Sequence, residues 1–326
     1  LFWLMAGSML FLFCKDFAYE NYKRLAKPLF IAGVVLLLLV FVPGLGKEVN
    51  GAKRWIGISF LTFQPSELMK LIFIIFFCDL VIRKQEKISE FMKGIVPYLC
   101  IIGAICVVLL FQKDLGAAML ICVLGGIIIF AAGVRIKHLL VLAIASVPFI
   151  VGLILMFPYR IRRILTFLDP WKDPKDTGFQ IVQSFIAFGS GGILGKGLGK
   201  GTQKLFYLPE AHTDFIYAII GEELGLVGAL AVLGLFALLV YKGIRIALET
   251  EDAFGKLLAV GLTAYIGLQA FGNMSVVLGL MPTKGMTLPF ISYGGSSLVV
   301  NMAAAGILMN IASRTKYEKS DHHRRR

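Results

Sequence analysis

IVPYLCIIGAICVVLLFQKDLGAAMLICVLGGIIIFAAGV, residues 95–134, is the stretch that decides the fold class of this chain. Its charged residues are Lys113 and Asp114, which stand side by side in the middle. As one helix the stretch would be about 60 Å long, twice the hydrocarbon core of a bilayer. The pattern therefore predicts two membrane-spanning helices with a break near residues 112–116.

Similar apolar runs occur along the whole chain, which is 58% hydrophobic and 16% charged over 326 residues. Runs of about 17–25 apolar residues are long enough to cross a bilayer as helices. We predict an all-α polytopic membrane protein, a single transmembrane domain over residues 1–326. About nine spans are visible: 1–14, 29–42, 65–82, two within 95–134, 139–157, 215–241, 257–280 and 288–312.

The net charge of +13 is explained by membrane topology and does not indicate a nucleic-acid partner. Lys and Arg collect in the short cytoplasmic loops of membrane proteins. The basic segments predicted to be cytoplasmic are 15–27, 83–93, 135–138, 242–256 and the tail 314–326. The segments predicted to lie outside are 45–64, 112–116, 281–287 and a large extracellular loop, 158–214.

Several ionisable residues lie within or beside the predicted spans, where each costs about 2.5–3.5 kcal/mol on insertion scales. Glu67 and Lys70 stand three residues apart, so they share a helix face and can pair. With Asp114, Asp214 and Lys284 they fall near the outer ends of the spans. This asymmetry indicates either a polar cavity open to the outside or polar packing between helices.

Asp214 ends the longest polar and glycine-rich interruption of the chain, residues 178–223. A carboxylate at the start of an apolar run is a candidate reactive group, and it is equally a helix N-cap. The run GSGGILGKGLGKG, 189–201, resembles a phosphate cradle but does not fit the P-loop pattern. We interpret the run as a flexible loop or re-entrant turn whose backbone can approach a ligand.

Two weaker polar features accompany these. The stretch LPFISYGGSSLV, 288–299, places Ser292 and Ser296 on one face of a predicted helix. His212 precedes Asp214 closely, but no second histidine is near enough in sequence to indicate a metal site.

Four separated stretches match one pattern: NGAKRWIG (50–57) with QPSELMK (64–70), QKDLG (112–116), GFQIVQS (178–184) through LPEAHTDFIYAIIGEELG (208–225), and LMPTKGMTLPFISYGGSS (280–297). Together they resemble the SEDS family of shape, elongation, division and sporulation proteins, over nearly the whole chain and in order. TKGMTLPF is more similar to the cell-division branch than to the elongation branch, and the sporulation branch stays open. The family has ten transmembrane helices, so we expect that an N-terminal piece is missing from this chain, which starts inside an apolar run.

The resemblance implies a peptidoglycan glycosyltransferase that polymerises lipid II on the outer face of the bacterial cytoplasmic membrane, at the division septum. It implies a class B penicillin-binding protein transpeptidase as partner, together with other divisome membrane proteins. No cofactor is required, although a divalent cation (Mg²⁺ or Mn²⁺) between Asp214 and the substrate diphosphate stays open.

The resemblance also assigns roles to residues. Asp214 becomes the catalytic carboxylate, and Arg54, Trp55 and Lys70 match residues important in the family. Lys196, Lys200 or Lys204 are further candidates for binding the departing diphosphate. The remaining predicted substrate-binding residues are Glu67, Asp114, Gln183, His212, Lys284, Ser292 and Ser296.

Two other functions remain as alternatives. A lipid II flippase would use polar residues inside the bundle, but it should carry them in both halves of the membrane. A divisome scaffold would act through its tail and loops, and it gives no reason for acids and lysines inside the bundle.

Overall fold

The computed structural model describes residues 1–49, 51–58, 61–84, 94–174, 176, 178–205 and 208–324. Asn50 of the NGAKRWIG motif, residues 85–93 of a predicted basic loop, and the last two residues of the tail lie outside the described residues. The chain forms two compact units. The first comprises Leu1–Leu139, Leu239–Ile266 and Gly295–Arg326, and the second comprises Leu140–Leu238 and Gly267–Gly294.

Helices dominate the described chain. In order, the elements are α1 (Phe2–Asp16), α2 (Tyr19–Leu39), β1 (Gly46–Val49), β2 (Ala52–Ile58), β3 (Leu61–Phe63), α3 (Pro65–Arg83), α4 (Val96–Phe111), α5 (Leu115–Ala131), α6 (Ile136–Leu155), α7 (Pro158–Leu168), a 3₁₀ turn (Pro170–Lys172), α8 (Phe179–Gly191), α9 (Ile216–Glu249), α10 (Ala253–Val277) and α11 (Gly295–Arg324).

Helix α3 is the centre of the first unit. It starts with Pro65, a favoured first-turn residue, and buries side chains around most of its circumference. Helices α2, α5 and α11 pack against it. Helix α1 packs along α11, where a Cβ on Gly306 would stand 2.5 Å from the carbonyl oxygen of Phe11. Small residues at this contact allow the two backbones to approach closely.

The predicted break in residues 95–134 is confirmed. Helix α4 ends at Phe111 and α5 begins at Leu115. Lys113 has a φ of 60°, which interrupts the helix, and Asp114 caps α5 by accepting a hydrogen bond from Ala117 N at 3.0 Å. The polar residues therefore stand at the break because they turn the chain and cap the next helix.

The all-α prediction is wrong for residues 46–63. Strands β1, β2 and β3 form a three-stranded antiparallel sheet in that order. Val49 pairs with Ala52, and Gly51 has a φ of 72°. The sequence carries Asn50-Gly51 at this position, and an Asn-Gly pair is the strongest short-range signal for a hairpin.

The second unit contains helices where a long loop was predicted. Helices α7 and α8 both fall within residues 158–214. Helix α9 is interrupted at Gly225, whose φ of 66° and ψ of −164° are not helical. The predicted position of Asp214 ahead of an apolar helix is confirmed, since α9 begins two residues beyond it.

Four helices are long and apolar enough to cross a membrane, namely α6, α9, α10 and residues Gly295–Lys316 of α11. Helices α4 and α5 are apolar but shorter. The chain is therefore an integral membrane protein. Helix α11 begins seven residues later than the predicted span 288–312, so Ser292 precedes the helix and does not share a helical face with Ser296. That prediction is wrong because residues 288–294 form a turn closed by Ser292, whose Oγ accepts a hydrogen bond from Leu288 N at 2.7 Å.

Candidate active site

Asp214 lies between a turn and the first residue of α9, and it is half-buried. Its carbonyl oxygen accepts a hydrogen bond of 2.7 Å from Nδ2 of Asn273, a residue of α10 that is 1% exposed. The same Nδ2 group donates to the carbonyl oxygen of Met286. One buried amide thus joins the backbone at Asp214 to the TKGM segment.

Ser292 makes a second connection between the same two segments. Its Oγ donates to the carbonyl oxygen of Thr213 at 2.5 Å, and Tyr293 N donates to the carbonyl oxygen of His212 at 2.8 Å. The HTDF motif is therefore held on the TKGMTLPFISYGG motif by main-chain contacts. Ser292, predicted to bind substrate, is buried and fixes the backbone next to Asp214.

Gly285 provides the space that the Asp214 carboxylate occupies. A Cβ on residue 285 would stand 2.9 Å from Oδ2 of Asp214, closer than real Cβ contacts. The neighbouring Lys284 is half-buried, and Arg163 of α7 donates to the carbonyl oxygen of Thr283 at 3.4 Å. The second unit thus combines a half-buried carboxylate with basic residues in and around the adjacent segment.

The other predicted site residues of this unit have different surroundings. His212 is exposed, and its carbonyl oxygen takes part in the contact with Tyr293. Gln183 lies half-buried in α8, a helix that is tied to α10 by the hydrogen bond of 2.6 Å from Ser184 Oγ to the carbonyl oxygen of Val277.

In the first unit, the expected pairing of Glu67 and Lys70 is present. Lys70 Nζ lies 2.7 Å from Glu67 Oε1, and the Lys70 side chain is 5% exposed. The same ammonium lies 5.6 Å from the centre of the Tyr265 ring. The pair compensates both charges inside the helices, which is what burial of two ions requires.

Asp114 and Ser296 belong to a hydrogen-bond network of the first unit. Ser66 Oγ donates to Asp114 Oδ2 at 3.2 Å and accepts from Gln64 Nε2 at 3.1 Å. Gln64 N donates to Ser296 Oγ at 3.0 Å. The network joins the start of α3 to the starts of α5 and α11.

Arg54 of β2 fastens the sheet to the break between α4 and α5. Its guanidinium donates to the carbonyl oxygen of Gln112 at 3.3 Å and to that of Lys113. Lys113 Nζ returns a hydrogen bond of 2.7 Å to the carbonyl oxygen of Gly51. Trp55 follows on the opposite side of the strand and is half-buried.

Sequence reasoning missed Asn273 as a site residue and misread the glycine-rich run. Asn273 is a polar residue inside an apolar helix, a signal that the sequence displays. The glycine-rich run is held to α9 by hydrogen bonds, so it is not a free loop, and Lys196 and Lys204 pair with Glu222 and Glu223. These two lysines are therefore engaged within the chain.

A metal centre has little support from the described part of the chain, where no group of three or more His, Cys, Asp or Glu side chains could hold an ion. The divalent cation at Asp214 stays a prediction.

Comparison with known proteins gives consistent matches. The pattern of the FtsW, RodA and SpoVE family, described as cell cycle proteins, matches residues 1–317. A probable peptidoglycan glycosyltransferase FtsW of Geobacter sp. (strain M18) is 48% identical over 298 residues, 91% of this chain and 81% of the relative. The stage V sporulation protein E of Bacillus subtilis (strain 168) is 43% identical over 311 residues, 95% of this chain and 85% of the relative.

Two solved structures are similar over nearly the full length. A chain solved in a study of structural coordination of polymerization and crosslinking by a peptidoglycan synthase complex superposes with a TM-score of 0.81 at 30% identity, covering 96% of this chain and 88% of that chain. The rod shape determining protein RodA of Thermus thermophilus superposes with a TM-score of 0.70 at 27% identity, covering 95% and 85%.

Proposed function

The chain belongs to the FtsW, RodA and SpoVE family of cell cycle proteins, and from this premise we propose that it is a peptidoglycan glycosyltransferase. It is an integral membrane enzyme that polymerises lipid II into glycan strands. The relatives named as glycosyltransferases cover most of its length, and the chain spans about four fifths of theirs. The cell-division branch is favoured by the higher identity to FtsW proteins than to the sporulation relative.

The reaction needs a base, and the observation that carries the proposal is the placement of the Asp214 carboxylate. The 4-hydroxyl of the acceptor sugar is a weak nucleophile until a neighbouring group takes its proton. In our account, the Asp214 carboxylate accepts that proton while the hydroxyl oxygen attacks the anomeric carbon of the donor. The bond from that carbon to the diphosphate oxygen breaks, and the lipid diphosphate leaves with the electron pair. One displacement inverts the anomeric centre, so no second carboxylate is needed.

The geometry around Asp214 supports this role. Buried Asn273 and Ser292 hold the backbone on both sides of the HTDF segment, while glycine at position 285 leaves the carboxylate uncovered by a side chain. A base held by packed neighbours stays in place during the reaction, which is how preorganised sites lower a barrier. We propose that Lys284 binds the departing diphosphate, because positive charge stabilises it.

The remaining substrate-binding roles are proposals with weaker support. Arg54 and Lys70 hold internal partners, the carbonyl oxygens of residues 112 and 113 and the Glu67 carboxylate respectively. We keep Arg54, Trp55 and Lys70 as proposed substrate contacts because the family resemblance assigns them. Glu67, Asp114 and Ser296 contribute through the networks that place these residues.

We propose the following cellular context. The protein crosses the bacterial cytoplasmic membrane about nine times within this chain, with residues 158–214 outside and the basic tail 314–326 inside. It acts at the division septum with a class B penicillin-binding protein that crosslinks the glycan, and with other divisome membrane proteins. The similarity to a chain from a peptidoglycan synthase complex supports such a transpeptidase partner.

The flippase alternative has lost the observation that favoured it. Glu67 and Lys70 compensate each other, and Asp114 caps a helix, so their presence in the bundle is explained without a translocation path.

The experiment that tests the proposal is lipid II polymerisation by the purified chain in detergent, alone and with its class B transpeptidase. We expect glycan strands that lengthen with time and are absent without the chain. Lipid II translocation in liposomes without any polymer, in the presence of the partner, would support the flippase instead.

A further inference from the structure

The glycine-rich loop, residues 192–204, surrounds two carboxylates of its own chain. Glu222 is fully buried and accepts hydrogen bonds from Thr202 N at 2.9 Å, from Gln203 N at 3.1 Å and from Lys196 Nζ at 2.8 Å. Because an ionised buried carboxylate needs such donors, the loop supplies the environment that Glu222 requires. The phosphate-cradle character of the sequence is thus directed at an internal anion.

Glu223 is bound by the other part of the same loop. It accepts hydrogen bonds from Gly199 N at 3.0 Å, from Gly201 N at 3.2 Å and from Lys204 Nζ at 2.6 Å. The Glu223 side chain is 11% exposed and that of Lys204 is 23% exposed. The two glutamates therefore hold the loop at consecutive points, one in the interior and one near the surface.

The backbone of the loop also repairs the interruption of α9 at Gly225. Lys196 N and Gly197 N donate to the carbonyl oxygens of Glu222 and Glu223, each at 3.0 Å. On the other side of the break, Leu226 N donates to the carbonyl oxygen of residue 192 at 2.9 Å. A membrane helix can be broken only where its freed backbone groups find such partners.

Close contact explains why glycines occur here. A Cβ on Gly195 would stand 2.2 Å from the carbonyl oxygen of Glu223, and a Cβ on Gly201 would stand 2.8 Å from Glu223 Oε1. Larger residues would push the loop away from the helix. The glycine content of the run therefore follows from the fit to α9.

We propose that Glu222 and Glu223 are positioning residues for the transferase reaction. The loop they hold continues directly into the segment that ends at Asp214, and the glutamates lie one to three turns into the helix that Asp214 precedes. The segment between the loop and α9 is thus closed at its base by the two carboxylates. Asn273 and Ser292 hold its other end. The inference rests on the proposed function, because it concerns the placement of the proposed base.

Glu223 offers the cleaner test, because Glu222 is fully buried and its loss would leave several buried donors unpaired. Glu223→Gln keeps the size and one acceptor oxygen but removes the charge, and Glu223→Ala removes the contact. Gly201→Ala opens the same contact from the loop side without changing any charge, since its new Cβ displaces the Glu223 carboxylate. Matched controls are Glu251→Gln, at an exposed glutamate between α9 and α10, and Gly189→Ala, at an exposed α8 glycine with open space.

The measurements are kcat and KM for lipid II with the transpeptidase present, the melting temperature, and hydrogen exchange of the Gly199 and Gly201 amides. We expect Glu223→Ala and Gly201→Ala to lower kcat roughly tenfold or more, as misplacement of a catalytic group does. KM should change little, the amides should exchange faster, and both controls should match the wild type. Glu223→Gln should fall between.

Two results would overturn the inference. One is wild-type kcat in folded Glu223→Ala and Gly201→Ala proteins whose loop amides exchange faster. The other is a loss of kcat that equals the loss of folded protein, since the contact would then serve folding alone. If the wild-type chain itself made no polymer, the proposed function would fail, whereas either result above leaves that function intact.

Discussion

Gly285 lies against the carboxylate of Asp214, so closely that a Cβ at position 285 would stand 2.9 Å from Oδ2. The two residues belong to motifs that are far apart in the sequence, HTDF and TKGM. Their contact explains why a glycine follows Lys284: any side chain at this position would compete with the carboxylate for space. It also places a basic segment beside the proposed base.

Gly285→Ala should therefore impair catalysis without unfolding the protein. The backbone at 285 does not require a positive φ, so alanine is tolerated there, but its Cβ forces the Asp214 carboxylate to shift. We expect kcat for lipid II polymerisation to fall roughly tenfold or more, with an unchanged melting temperature. Gly234→Ala in α9, where a Cβ has open space, is the control. Equal rates for both variants would argue against a constrained carboxylate.

Asn273→Ala should reduce both stability and activity. It removes the amide that bridges the carbonyl oxygens of Asp214 and Met286, and leaving buried acceptors unpaired costs about 1–3 kcal/mol. Thermal unfolding in detergent and kcat measured below the transition would report the two effects. Ser275→Ala, on the same helix, serves as the control. Retention of full kcat by the folded Asn273→Ala protein would show that Asp214 needs no such anchor.

Asp114→Ala should destabilise the protein by about 0.5–2 kcal/mol, the usual cost of losing a helix N-cap. Asp114→Asn should be milder, because its side-chain oxygen can still accept from Ala117 N. The melting temperatures check this order. The KM for lipid II, measured where both variants are folded, tests the predicted substrate contact: an unchanged KM would contradict that role.

Lys70→Met should be strongly destabilising, by about 3–5 kcal/mol, because it leaves the Glu67 carboxylate uncompensated among buried helices. The double variant Glu67→Gln, Lys70→Met should recover much of that loss, since no unpaired charge remains. Thermal unfolding of the wild type, both single variants and the double variant completes the cycle. Additive losses would mean that the two charges do not depend on each other.

Much of the helical architecture could be predicted from apolar runs. The break between α4 and α5 follows from length, since residues 95–134 are too long for one span and hold Lys113 and Asp114 in the middle. The sheet was missed because its strands are short and partly polar. Asn50-Gly51 was the available signal, and it was outweighed by the surrounding membrane pattern.

The site was predictable as a set of residues but not as a geometry. The motif placed Asp214 correctly ahead of a helix, whereas the contacts of Ser292 and Asn273 depend on folding back of distant segments. The glycine-rich run shows the same limit. Its amides and lysines indicated an anion, and only the fold shows that Glu222 and Glu223 supply it.

The most direct test of the proposed base is the polymerisation rate of Asp214→Asn, which keeps the size of the side chain and removes its ability to take a proton. The purified variant should be folded, should bind its transpeptidase partner like the wild type, and should make no glycan strands from lipid II. Glycan strands formed at the wild-type rate by this variant would contradict the account.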